Sequence, residues 1–294
     1  MIARALVIVN PHARRAARAV GTVRRAFARR GVDADLVLTE RRGHARELAQ
    51  ALAGQYDAVF SLGGDGTAME VLEVATALGR PVGVLPGGTG NLVARALGTP
   101  LGAARAVDAL LDGEARRIDL GRLDDGRSFA FGAGVGVDVT MLERATTERK
   151  RRLGVFAYVV SAVDAALRHE AFEVVATVDG VRHTFDASAV MVLNFGTVLG
   201  GLLQLAPRVD PADGVLDRCV FAPRSLAQVL DTGWRIVAHR LDEGPHMHFL
   251  QGRRIVVEAA PPRMAQADGE LLGPTPLSVE VRPHGALVLA PVRR

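Results

Sequence analysis

Between a short apolar strand and an amphipathic helix, the chain runs Ser61-Leu62-Gly63-Gly64-Asp65-Gly66-Thr67. The strand reads Ala58 to Leu62, and the helical pattern over Ala68 to Leu78 is carried by Met69, Val71, Leu72, Val74, Ala75 and Leu78. Three glycines around one carboxylate on a strand-to-helix turn make a natural phosphate cradle. Glycine reaches φ > 0 and lets the backbone come close to a ligand. The free amides and the dipole at a helix N-terminus favour negative charge there. Asp65 fits such a place only if Mg²⁺ or an ordered water stands between it and the phosphates. A plain turn is the alternative, but it has no use for so many glycines.

The segments around this loop alternate. Strands are expected at Leu6–Val9, Leu36–Leu38, Ala58–Leu62 and Val82–Leu85. Helices are expected at Arg14–Arg30, His44–Ala53, Ala68–Leu78, after Asn91 through Leu97, and at Leu101–Leu111. Such alternation predicts a parallel sheet in a three-layer α/β domain, assigned to residues 1–118. Ligands of these sheets sit at the carboxyl ends of the strands. Asn10, Thr39, the Gly63–Thr67 loop and the Pro86–Asn91 loop all follow strands.

From residue 119 the texture becomes β-rich. Short apolar runs alternate with Asp124-Asp125-Gly126, Asp179-Gly180, Asp213-Gly214 and Asp268-Gly269. Asp-Gly between alternating strands signals a hairpin. An antiparallel β-sandwich is therefore expected over 119–283, interrupted by helical patterns at Leu153–Leu167 and Leu226–Ala238.

Composition narrows the function. With 294 residues the chain is long enough for two domains. Cys219 is its only cysteine, which excludes a disulfide framework and fits a reducing cytoplasm. The N-terminal run through Pro11 is too short and too soon broken for a signal peptide. Ala187–Pro207 approaches membrane-spanning length, but Asn194, Gln204 and its glycines read as a strand and loop. The net charge is +4, almost wholly from arginine, with Lys150 the only lysine. Aromatic residues are scarce and not interleaved with the arginines, which argues against nucleic acid as a partner.

Several motifs taken together, in order and spacing, resemble the diacylglycerol kinase catalytic family, which includes sphingosine, ceramide and soluble bacterial lipid kinases. Gly63–Thr67 resembles its nucleotide loop. Pro86-Gly87-Gly88-Thr89-Gly90-Asn91 resembles its second glycine loop, and Asn10-Pro11 its first nucleotide contact. Thr39 with Gly43-His44-Ala45 resembles its T-x-x-x-G-x-A element. Arg117–Gly121 resembles the segment with a magnesium-linked aspartate, Asp213–Asp217 its DG-x-LD strand entry, and Asp268-Gly269-Glu270 its D-G-E turn. The chain departs from the family at Leu92, where an acid is common, and at Met69, where asparagine is common.

The resemblance implies an N-terminal domain like that of phosphofructokinase and NAD kinase, with a C-terminal strand, 284–294, returning to it. It also implies ATP and Mg²⁺ as cofactors, a lipid hydroxyl as acceptor, and transient contact with a membrane surface. Asn10, Thr39, Gly63, Gly64, Asp65, Gly66, Thr67, Glu70, Gly88, Thr89 and Asn91 would bind the nucleotide. Asp65 and Asp119 would hold Mg²⁺ through water, and Glu270 would be the general base. A second, structural Mg²⁺ would be held by Asp213 with backbone carbonyls near Asp210 and Val215. A bland reading stands beside each. Thr39 could be a helix N-cap, Asn10 a turn former, Asp119 the partner of Arg117, Glu270 a solvated hairpin tip and Asp213 a plain turn. The basic run Arg149-Lys150-Arg151-Arg152 before an apolar helix suits docking on an anionic bilayer, or is a solvated charge run. Phe195–Leu205 is a candidate lining for acyl chains. An NAD kinase-like small-molecule kinase and a catalytically weak lipid- or nucleotide-binding regulator stay open as rivals, and so does a homodimer.

Overall fold

Residues 4–9, Arg-Ala-Leu-Val-Ile-Val, are apolar without alternation, as in a strand covered on both faces. In the computed structural model, which describes residues 2–136, 171–198 and 203–292, they form the central strand of a parallel sheet. The chain divides into two units, Met1–Asp119 with Pro283–Arg294, and Leu120–Arg282.

The first unit alternates strand and helix. Its elements are β1 (Arg4–Val9), α1 (Ala16–Arg29), β2 (Asp33–Leu38), α2 (His44–Leu52), β3 (Ala58–Gly63), α3 (Asp65–Ala77), β4 (Val82–Pro86), α4 (Leu92–Ala96) and α5 (Ala103–Leu111). The strand order is β2-β1-β3-β4, all parallel. The last half of β18 (Leu277–Ala290) joins β4 in parallel, with Val288 opposite Val82. Phe27 of α1 meets Phe60 of β3 edge to face at 4.9 Å in a core shared with Val107, Leu110 and Leu289.

The helix after the glycine run begins at Asp65, three residues earlier than the apolar pattern predicts. Asp65, Gly66 and Thr67 are thus its first turn rather than a loop. An acid is favoured there by the helix dipole, and Gly64 takes the extended N-cap position with φ −92°.

The chain passes into the second unit along β5 (Glu114–Leu123), which pairs with β6 (Ser128–Phe129). β7 (Gly132–Val135), β8 (Phe172–Val178), β9 (Val181–Ala187), β10 (Ala189–Leu193), β11 (Thr197–Val198) and β12 (Leu203–Gln204) follow. Then come β13 (Leu216–Phe221), α6 (Leu226–Ala238), β14 (Met247–Gly252), β15 (Arg254–Ala260), β16 (Met264–Ala267), β17 (Glu270–Pro274) and the first half of β18. One antiparallel sheet runs β14-β13-β10-β7-β16-β17, and another runs β18-β15-β8-β9. Val135, Val190, Val192 and Val220 of the first sheet share a core with Val174, Ala176, Ile255 and Val279 of the second. This is the expected sandwich.

Asp124–Gly126, Asp179-Gly180 and Asp268-Gly269 each close a hairpin. Asp213-Gly214 does not, because β12 pairs with β11 while β13 pairs with β10 and β14. There the Asp213 carboxylate accepts the amide of Val215 at 3.1 Å in a local turn. Cys219 is fully buried in β13, and burial pushes its thiol pKa up. The Leu153–Leu167 pattern and the Arg149–Arg152 run lie outside the described residues.

Candidate functional site

The two glycine loops of the first unit meet backbone to backbone. A Cβ on Gly88 would lie 2.7 Å from the Cα of Gly64, and one on Gly87 would lie 3.0 Å from the amide nitrogen of Gly63. These two glycines are fixed by close packing. Gly64 is different: a Cβ there would find nothing nearer than 3.9 Å, and its φ is ordinary for any residue. No internal contact requires glycine at 64. Gly64→Ala is therefore expected to fold with only the small fall in Tm of a poorer N-cap, and to lose nucleotide affinity, by about tenfold or more if a phosphate hydrogen bond is displaced. Intact affinity would remove this residue from the cradle.

Asn10, Asp65 and Asn91 make their side-chain hydrogen bonds at these loops. Asn10, at the end of β1, donates from Nδ2 to Thr67 Oγ1 at 3.1 Å and accepts the His12 amide at 3.0 Å. It is a turn former and a neighbour of the cradle at once. Glu70 accepts the amide of Gly43 at 3.0 Å, which ties the segment between β2 and α2 to α3. Thr39 is buried at the end of β2 and is not the cap of α2; that position is Gly43, with φ 81°. Asn91 has φ 51°, a region asparagine tolerates better than most residues. Its side chain accepts the Gly88 amide at 2.8 Å and donates to the Gly88 carbonyl at 3.0 Å, bracing the second loop. Thr89 and Gly66 are exposed.

Asp65 reaches from the first loop to the second. Its Oδ1 accepts the Val93 amide at 3.0 Å, capping α4. Burial raises its pKa, while the amides of Val93, Leu92 and Asn91 oppose the rise. The carboxylate thus faces the backbone of Leu92. Asp119 is fully buried in β5 and accepts the His284 amide at 2.7 Å, and Arg117 donates to the His284 carbonyl at 3.4 Å. Among the described residues no group of three or more His, Cys, Asp or Glu side chains is gathered as a metal site. A cation near Asp65 would need phosphate, backbone and water oxygens to complete its shell, which suits Mg²⁺.

In the second unit, Glu270 is exposed at the start of β17. The turn before it is anchored in a way the sequence did not announce. Asp268, at φ 46°, accepts the amides of Ala130, Phe131 and Gly132 at 2.8, 3.0 and 3.0 Å. Its partners lie far off along the chain, so only its Asp-Gly turn was visible. Asp217 was also missed. It is buried in β13, burial pushes its pKa up to about 7, and its Oδ2 has no hydrogen-bond partner. Gln251 bridges toward Asp213 at 3.4 Å. An orphaned carboxylate oxygen beside the Asp213 turn suits a cation there. Asp210 accepts the Ala212 amide at 3.1 Å in its own turn.

The first unit is thus a parallel α/β unit with paired glycine loops, and the second an antiparallel sandwich. The Diacylglycerol kinase catalytic domain model matches residues 4–123, and the YegS C-terminal NAD kinase beta sandwich-like domain model matches residues 132–290. The chain belongs to the diacylglycerol kinase catalytic family. It is 30% identical over 274 residues to a diacylglycerol kinase of Mycobacterium tuberculosis, covering 89% of this chain and 86% of that protein. An uncharacterized protein of Synechocystis is 31% identical over 238 residues, and the chain spans about half of its length, 55%. A crystal structure of a diacylglycerol kinase from Bacillus anthracis superposes with a TM-score of 0.76 at 23% identity, covering 99% of this chain and 98% of that one, a likeness of fold.

Proposed function

We propose that the protein is an ATP- and Mg²⁺-dependent lipid kinase that phosphorylates a hydroxyl of diacylglycerol or a similar lipid. The observation that carries this is Gly64, a glycine with room for a side chain at the head of α3, within a family whose members include named diacylglycerol kinases. Phosphoryl transfer asks for positioning and charge neutralisation more than for covalent chemistry. The amides of Gly64, Gly66 and Thr67 would hold the triphosphate, with Asn10, Thr39, Gly63, Glu70, Gly88, Thr89 and Asn91 shaping the nucleotide site. Asp65 and Asp119 would orient water on the metal. Mg²⁺ bound there would offset the charge that gathers on the transferred group. Glu270 would take the proton as the lipid oxygen attacks. Asp210, Asp213 and Val215 would hold a second, structural Mg²⁺, helped by the orphaned oxygen of Asp217.

A membrane surface is the partner this reading requires. No helix among the described residues is long and apolar enough to cross a bilayer. Surface contact is supported by α6, whose Leu226, Leu230, Trp234 and Val237 follow one another on a single face and are 46, 56, 64 and 43% exposed. Incubation with radiolabelled ATP, a lipid panel and NAD tests the proposal. Label in the organic phase is expected. Label on NAD would favour the small-molecule kinase, and label on neither would favour a binding regulator. Trp234 is the chain's only tryptophan, so its emission should shift to the blue on phospholipid vesicles; an unmoved spectrum would remove α6 from the docking surface.

A further inference from the structure

Within the second unit, β7 lies between β10 and β16, with Gly132 opposite Leu193 and Ala133 opposite Ala267. Where those two ladders run out, a polar residue comes next on each side, Asn194 after β10 and Asp268 after β16. Each of the six backbone groups of Ala130, Phe131 and Gly132 meets one of these two residues. The three amides go to the Asp268 carboxylate. The Ala130 carbonyl accepts Asn194 Nδ2 at 2.9 Å. The Phe131 carbonyl accepts the Asn194 amide at 2.9 Å, and the Gly132 carbonyl accepts the Asp268 amide at 2.9 Å. Phe195 stacks on Phe131 with ring centres 6.4 Å apart. Another side chain holds the turn itself: Gln266, 8% exposed, accepts the Gly269 amide on Oε1 at 2.9 Å.

A turn of this kind stands without so much support. Asp268 and Gly269 have φ of 46° and 86°, and Asp179 and Gly180 have 47° and 88°. Such a left-handed pair is the favoured closure of a two-residue hairpin. The Asp179 carboxylate takes the amides of Arg253 and Arg254, both exposed, and among the described residues no side chain accepts the Gly180 amide. Asn194 and Gln266 are what the second turn has in excess. Asn194 is 1% exposed between the buried Leu193 and Phe195, where an amide costs stability unless it is bonded. The residue that follows also separates the two turns: Val181 after one, Glu270 after the other.

We infer that Asn194 and Gln266 are positioning residues for Glu270, holding its turn from two sides so that the carboxylate keeps one place. The inference rests on the reading of Glu270 as the general base. Proton transfer needs heavy atoms within about 2.6–3.2 Å, and a misplacement of about 1 Å can cost on the order of 10²-fold. Asn194 fixes the peptide units on which Asp268 is mounted. Gln266 fixes the peptide between Asp268 and Gly269, one step before Glu270.

The test joins amide hydrogen exchange to a double-mutant cycle on the whole chain. In Asn194→Ala, the amides of residues 268–270 should exchange about tenfold faster below the melting range, and those of the Asp179-Gly180 turn at the parent rate. Turnover of ATP on diacylglycerol vesicles should fall by on the order of tenfold or more, with KM for ATP within about twofold. Added to Glu270→Gln, Asn194→Ala should cost nothing further in turnover, because the group it positions is gone. Gln266→Leu should give the same pattern at severalfold size, and it decides the matter if Asn194→Ala does not fold. Unchanged exchange at 268–270, or as large a loss of turnover in the Glu270→Gln background as in the parent, would overturn the inference. Near-normal turnover of Glu270→Gln by itself would fail the reading of Glu270 on which the inference rests. That result is distinct from unchanged exchange, which fails the bracing alone.

Discussion

Glu270→Gln is expected to lower kcat by on the order of 10²-fold or more, with ATP affinity held near that of the parent chain. The substitution keeps size and hydrogen-bonding capacity but removes the group that takes a proton. A carboxylate is far less basic than an alcohol, so the proton can move only as the lipid hydroxyl acidifies during attack on phosphorus. The loss should therefore fall on turnover rather than on KM for ATP. Near-normal turnover would leave Glu270 as the solvated hairpin tip that its exposure also permits.

Asp268→Ala should be the more disruptive change to the fold. The carboxylate accepts three backbone amides, those of Ala130, Phe131 and Gly132. Ala130 is fully buried and Phe131 nearly so. Removing the acceptor strands these donors, each at about 1–3 kcal/mol where water does not replace it. A loss of about 3 kcal/mol, or roughly 6–12 °C in Tm, is expected from a unit of this size. Alanine also suits φ 46° poorly. Asp268→Asn, which tolerates that φ and keeps one acceptor, should lose much less. Since Glu270 follows two residues later, turnover should fall in the alanine variant even below its melting range. A melting curve superposable on that of the parent would show that the three amides find other partners.

The legible parts of this protein were those written locally. Alternating apolar runs gave the parallel first unit, and α6 begins and ends where its pattern does, at Leu226 and Ala238. Three of the four Asp-Gly signals mark hairpins, while Asp213-Gly214 failed because a hairpin also requires that the flanking strands pair with each other. The start of α3 was misread because glycines count against a helix in any propensity scale. Contact between the two loops overrides that preference. The motif residues were found by pattern, but their bonds were not: Asn91 to Gly88 is a local brace, whereas Asp268 to residues 130–132 spans more than 130 positions. Buried groups such as Asp217 and Arg218 look like ordinary strand residues until the rest of the unit packs around them.

Residues 283–290 close the sheet of the first unit: Leu289 enters its core, the Leu287 amide bonds Thr76 Oγ1 at 2.9 Å, and the Ala290 carbonyl sits where a side chain at Gly113 would be. On a ribosome these residues emerge after the whole sandwich has been made. Until then β4 has a bare edge, with hydrogen-bonding groups open to any passing strand. The first unit is thus completed only by residues that follow the second along the chain. Its folding is tied to contacts of very long sequence separation, the kind that slow assembly.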